Sequence, residues 1–228
     1  MIERIPGSGW LALLGGGEFS FEETEEADRA WLAKAGDGTV AFLPAASGSE
    51  DYGKHFAVYL DEYFERRVET VPIYRVRDAR RERNLARLRE AAAIYLGGGV
   101  ADHLLAAVAK MPCESALRDK VTEGGTVVAI AAAAQALGAV ARGLRGQVLP
   151  GLGWLPGVAV EANFHPTSGS AGDRRLRQLM AHDEVRCGLA IPAESAVLLG
   201  PSGQVEVVGE AFVLTKPDGE LVVLENET

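Results

Sequence analysis

Val127-Val128-Ala129-Ile130 reads as a buried strand, and it runs without a break into the helix of Ala131-Ala132-Ala133-Ala134-Gln135-Ala136. A strand that feeds a helix directly is one unit of an α/β sheet, and the turn between them is where such sheets can present a reactive group. A Ser or Cys at that turn is held exposed, with backbone N–H groups beside it for a developing oxyanion. Here the turn carries methyl groups, which have no atom that can attack a carbonyl.

The same rhythm extends toward the N-terminus. Trp10-Leu11-Ala12-Leu13-Leu14 is a continuous apolar run that ends at Gly15-Gly16-Gly17, as a strand covered on both faces does when it enters a tight loop. A helix is expected over 22–35, and Thr39-Val40-Ala41-Phe42-Leu43-Pro44 repeats the strand signature. Residues 51–67 put Phe56, Tyr59, Leu60, Tyr63 and Phe64 on one helical stripe. A third strand follows over 68–73, a helix through 84–90, and a fourth strand over 91–96 that ends at Gly97-Gly98-Gly99; the next helix runs through Leu104, Leu105 and Val108. This alternation predicts a three-layer α/β fold of the flavodoxin-like kind: an open, mostly parallel sheet with helices on both faces, binding ligands at the strands' C-terminal ends.

After Gly151 the pattern changes to short apolar segments separated by turn signals such as Pro201-Ser202-Gly203 and Pro217-Asp218-Gly219. One helix, over 173–182, interrupts them. These strands are expected to finish the same sheet and add an antiparallel extension to its edge. No linker composition stands out, so the chain reads as a single domain over 1–228.

Composition narrows the function classes. A net charge of −9 repels polyphosphate backbones, so nucleic acid is not an expected partner. The one basic stretch, 75–89, interleaves seven arginines with Asp78 and Glu82 at spacings that suit a solvated helix. No stretch reaches the ~18 apolar residues of a membrane span, and Met1-Ile2-Glu3-Arg4-Ile5-Pro6-Gly7 has no apolar signal core, so no membrane partner and a cytoplasmic location are expected. Cys113 and Cys187 have no metal-ligand or redox spacing. His55 and His103 lack a ligand partner at i+4 and His182 closes a helix, so no metal is expected. Neither glycine loop matches a nucleotide fingerprint, and no cofactor is expected.

With these elements placed, the chain resembles peptidase family S51, the cyanophycinase and aspartyl dipeptidase family, within the class I glutamine amidotransferase-like fold. The resemblance rests on Leu14-Gly15-Gly16-Gly17-Glu18, Phe42-Leu43-Pro44-Ala45-Ala46-Ser47, Ile94-Tyr95-Leu96-Gly97-Gly98-Gly99, Gly124-Gly125-Thr126-Val127-Val128-Ala129 and Gly151-Leu152-Gly153-Trp154-Leu155-Pro156-Gly157, in that order. The resemblance implies a serine-type peptidase scaffold. The family's elbow, G-T-S-A-G-A, laid on residues 130–135 puts the nucleophile at Ala132 and replaces the elbow glycines by Ile130 and Ala134. The family's general-base histidine falls on Asn163, which cannot take a proton near neutral pH. The G-I-D-E-x-T-A segment reads Ala190-Ile191-Pro192-Ala193-Glu194-Ser195-Ala196, and the substrate loop G-G-N-T or G-G-D-Q reads Gly98-Gly99-Val100-Ala101.

The resemblance therefore implies a member without peptidase chemistry, with no catalytic residue and a pocket bounded by Gly15, Gly16, Gly17, Glu18, Gly97, Gly98, Gly99, Val100, Ala132, Asn163 and His165. Such a protein would bind a small-molecule or peptide ligand, or act as a scaffold, and the fold class allows a homodimer. The alternative is an active serine-type hydrolase whose machinery has moved to His165, Glu194 and a loop serine, Ser168 or Ser170.

Overall fold

The computed structural model describes residues 2–47, 50–167 and 169–226, except the side chain of Glu50. In chain order its elements are β1 (Trp10–Leu14), α1 (Glu25–Leu32), β2 (Val40–Leu43), α2 (Glu50–Phe64), β3 (Val68–Thr70), α3 (Glu82–Glu90), β4 (Ala93–Leu96), α4 (Ala101–Val108), α5 (Pro112–Thr122), β5 (Thr126–Ile130), α6 (Ala132–Ala136), β6 (Gly138–Arg142), β7 (Val148–Pro150), β8 (Leu155–Ala162), α7 (Ala171–Met180), β9 (Cys187–Ile191), β10 (Ala196–Leu199), β11 (Val205–Val208), β12 (Phe212–Leu214) and β13 (Val222–Val223).

The first sheet has the order β11-β10-β1-β5-β4-β2-β3. Its five strands from β1 to β3 pair in parallel, and β10 and β11 extend it antiparallel beside β1. The continuous apolar runs of β1, β2, β4 and β5 follow from burial on both faces. Leu11, Leu13, Ala41, Leu43, Ile94 and Val127 face one core with residues of α3, α4 and α5. Their alternates Ala12, Leu14, Val40, Phe42, Tyr95 and Val128 face a second core with Trp31 of α1 and Phe56, Tyr59 and Leu60 of α2. A period of two along each strand sets which core a side chain enters. The mostly parallel α/β sheet with an antiparallel C-terminal extension is the architecture expected from the sequence.

The expectation that all the later strands would join this sheet is corrected. Only β10 and β11 do so; the others form a second, six-stranded sheet of order β13-β12-β9-β8-β6-β7. Its centre is parallel, with β6 beside β8 and β8 beside β9. The physical reason lies in α6, which has only five residues. A parallel crossover back into the first sheet needs about a dozen residues or more, so the chain leaves the elbow in a new direction and starts a second layer. Along β8, Val158 and Val160 enter the large core while Ala159 turns to Leu176, Leu179 and Met180 of α7. That large core takes side chains from both sheets, including Trp154, Leu189 and Ile191. No helix of the described residues is long and apolar enough to cross a membrane.

Candidate functional site

Three strands of the first sheet end side by side, and their loops enclose a cleft of about 340 Å³ lined by Gly16, Gly17, Tyr52, Gly98, Gly99, Ile130, Ala131 and Asn163. The cleft sits at the C-terminal ends of β1, β4 and β5, where open parallel sheets bind ligands. Three larger hollows, one along α5, one between α7 and the segment before β13, and one between residues 2–7 and 200–203, are surface grooves away from those strand ends.

The loops are held against one another by backbone hydrogen bonds. The Gly15 N–H donates to the Ser195 carbonyl (2.9 Å), the Gly15 carbonyl accepts from the Asn163 N–H (2.8 Å), and the Gly16 carbonyl accepts from the Glu194 N–H (3.1 Å). A Cβ at Gly15 would lie 1.8 Å from the Pro192 carbonyl oxygen, so only glycine lets the loops meet. At Gly16, where φ is +152°, a Cβ would meet the Asn163 Oδ1 at 2.1 Å. The Asn163 carboxamide therefore lies directly over the first glycine loop. Asn163 itself has φ +51°, a left-handed conformation that asparagine tolerates better than most residues.

At the end of β5 the backbone turns sharply at Ala131, with φ +52° and ψ −118°. Its N–H donates to the Leu14 carbonyl at 2.9 Å, which ties the turn to the end of β1. Across the cleft, a Cβ on Gly98 would sit 3.5 Å from the Ala131 methyl. A strained, positive-φ residue between strand and helix is the nucleophile-elbow geometry. This corrects the register read from the sequence by one: the elbow residue is Ala131, while Ala132 is the first residue of α6 and packs against the large core. In this register the positions of the family's elbow glycines fall on Ala129 and Ala133, both fully buried.

Other expected pocket residues are also redistributed. Gly16, Gly17, Gly98, Gly99 and Asn163 line the cleft as expected. Gly15 and Gly97 lie beneath it, the latter packed on the Phe42 ring. Val100 precedes α4, with its N–H on the Ala46 carbonyl, and Ala101 is buried in the core, so neither faces the cleft. Glu18 sits beside the opening with its N–H bonded to Glu23 Oε2 at 2.8 Å.

The residues of the relocated-machinery alternative are not brought together at the cleft. His165 is exposed and outside the lining, and Glu194 is exposed on a loop. Ser170 caps α7: its Oγ accepts from the Asp173 N–H (3.1 Å) and donates to the His165 carbonyl (3.2 Å). Ser168 lies outside the described residues. Among the described residues no group of three or more His, Cys, Asp or Glu is placed to hold a metal. Within the arginine stretch Arg87 pairs with Glu69 (3.0 Å), Arg89 with Glu82 (2.6 Å), and Arg81 and Arg77 with Asp78 (3.5 and 3.7 Å).

Tyr52 was not among the expected site residues. It is the next turn of the α2 stripe, four residues before Phe56, and that periodicity is the signal that could have found it. Its ring packs edge-on against Phe19 (5.2 Å) and tilted on Phe42 (5.8 Å). Burial first, then Glu18 and Asp28, push its phenol above the ordinary tyrosine value. Asp28 is itself fully buried and accepts from Thr24 Oγ1 (2.7 Å), Trp31 Nε1 (2.7 Å) and the Tyr59 hydroxyl (3.0 Å).

The model of peptidase family S51 matches residues 11–200, from the second residue of β1 through β10, and takes in the elbow and every residue that lines the cleft. The chain belongs to peptidase family S51. Within this S51 chain, similarity extends to cyanophycinases of Synechococcus elongatus and of Thermosynechococcus vestitus, each 27% identical over 189 residues and covering 78% of the chain. The aligned part spans 58% of the length of those relatives. Among solved structures, a peptidase from an acI-B1 Actinobacterium shares the fold with a TM-score of 0.75 at 20% identity, covering 98% of this chain and 97% of that one. A candidate Peptidase E protein from Listeria monocytogenes EGD-e does so with a TM-score of 0.64 at 13% identity, covering 88% and 98%.

Proposed function

We propose that this S51 chain is a binding protein that holds a peptide or small-molecule ligand in the cleft without hydrolysing it. The observation that carries the reading is Ala131: the one residue in the elbow conformation ends in a methyl group, so no acyl-enzyme can form there. Asn163 supports it, because an amide lining the cleft at the place of the family's base cannot accept a proton. The retained glycine loops and cleft support binding, since they preserve shape and backbone donors without the reacting atoms.

The test incubates the purified protein with β-aspartyl and Asp-X dipeptides and, separately, with a fluorophosphonate probe. Neither hydrolysis nor labelling above a heat-inactivated control is expected. Turnover that survives removal of contaminating peptidase, or a labelled serine anywhere in the chain, would overturn the reading.

A further inference from the structure

Among the described residues the cleft lining contains two polar side chains, Tyr52 and Asn163, and no charged one. Among the described residues neither the Tyr52 hydroxyl nor the Asn163 carboxamide has a hydrogen-bond partner, so both are available to a ligand. The rest of the lining is glycine backbone, the Ala131 methyl and Ile130. A cleft of about 340 Å³ is at the small end of ligand sites and admits a group the size of one or two residues.

The charges around the cleft decide what kind of group fits. Behind the Tyr52–Phe19 wall lies the Asp28 carboxyl, bonded only to neutral donors, and Glu18 stands beside the opening. Both acids act on Tyr52, which keeps its proton and so remains a neutral donor and acceptor. A carboxylate or phosphate entering here would meet no lysine or arginine among the described lining residues, and the nearby Glu18 and Asp28 disfavour it. An ammonium group would find no carboxylate to pair with among the described lining residues, since Asp28 lies behind the aromatic wall and Glu18 is outside the lining, and the Tyr52 ring is covered by Phe19 and Phe42. An uncharged group with one donor and one acceptor side by side suits Asn163, whose Nδ2 and Oδ1 offer the complementary pair.

Resting on the binding reading above, we infer that the cleft recognises an uncharged amide, a carboxamide or peptide group without a carboxylate, clamped between the Asn163 carboxamide and the Tyr52 hydroxyl. This separates the chain's ligand from acidic ones by the absence of any basic residue among the described lining residues, and it makes Tyr52 and Asn163 the residues that set specificity.

The experiment titrates the full chain, isotopically labelled, with N-acetyl-alanine amide, N-acetyl-alanine and alanine amide, which present the same side chain with no charge, a carboxylate or an ammonium. The neutral probe is expected to shift the backbone signals of Gly16, Gly98 and Asn163, with the carboxylate probe at least about tenfold weaker, because it brings an unpaired negative charge beside Glu18 and Asp28. Tyr52→Phe and Asn163→Ala are each expected to weaken the neutral probe by about fivefold, the loss of one neutral hydrogen bond. Tighter binding of either charged probe, no shift with any probe, or neutral binding unchanged in the double variant would overturn the amide assignment; a charged probe in the cleft would still leave the binding reading standing. Conversion of N-acetyl-alanine amide to N-acetyl-alanine in the same tube would instead overturn the non-hydrolytic reading. Asn163→Asp keeps the shape and adds a charge; its preference is expected to move toward alanine amide.

Discussion

At Ala131 a non-glycine residue holds φ +52° and ψ −118° with no side-chain hydrogen bond to reward it. A conformation of this kind costs roughly 1–3 kcal/mol. Glycine adopts it freely but enters the folded state from a looser unfolded chain, which returns roughly 0.5–1 kcal/mol of that gain. Ala131→Gly is therefore expected to stabilise the protein by about 1 kcal/mol, read as a higher urea midpoint at unchanged slope. A lower midpoint would mean that the turn is not strained. The one-residue error in reading this site from sequence has a plain origin. Residues 131–134 are four identical alanines, so no side chain marks the register, and only the backbone angle does. Tyr52 was missed for a different reason: it continues the aromatic stripe of α2 by one turn, and a stripe of that kind reads as core rather than as a cleft wall.

Among the elements, β8 and α7 depend on one buried ion pair. Glu161, at the end of β8, has no exposed side-chain surface, and Arg175 of α7 contacts it at 2.5 Å, with Gln135 of α6 at 3.5 Å. Burial pushes the Glu161 carboxyl above its ordinary value, and Arg175, by hydrogen bond and charge, pulls against that. Removing Arg175 leaves a buried carboxylate without its cation. Arg175→Ala is thus expected to cost about 3 kcal/mol in chemical denaturation, and Glu161→Gln in the same background to recover part of the loss. Recovery would not occur if Arg175 served only as packing. The second sheet that this pair braces was the least legible element in the sequence. Its strands β6 and β7 carry weak apolar patterns, and the shortness of α6, which sends the chain away from the first sheet, cannot be told from an alanine run. The strands of the first sheet were legible because burial on both faces leaves a continuous apolar run that ends in glycine.

On the scale of the whole molecule, the buried Asp28 makes global stability depend on pH. Its carboxyl is pushed from 3.8 to about 6, by burial first, against the hydrogen bonds from Trp31, Thr24 and Tyr59 that favour the ionised form. The folded state therefore holds this proton more tightly than the unfolded one. The contribution is most favourable below pH 3.8, falls as pH rises, and is fully lost above about 6, a change of roughly 3 kcal/mol for this group alone. Asp28→Asn is expected to remove that slope between pH 4 and 6 while keeping the network, since an amide can accept from Trp31 and donate to the two hydroxyl oxygens. The measurement is the difference in unfolding free energy between parent and variant across that range; a pH-independent difference would show that folding does not raise the Asp28 carboxyl above its ordinary value. The fold and the family were readable from order and spacing of glycine loops after apolar strands. What a single sequence left open was how the strands after Gly151 divide between two layers, which long-range pairing decides.

The bend at Ala131 is shaped by its surroundings, the Leu14 carbonyl on one side and the Gly98 loop on the other, and not by the group it displays. Form and reactivity are thus uncoupled at this position. A hydroxyl set at the tip of this bend would be presented by the same backbone that now presents a methyl.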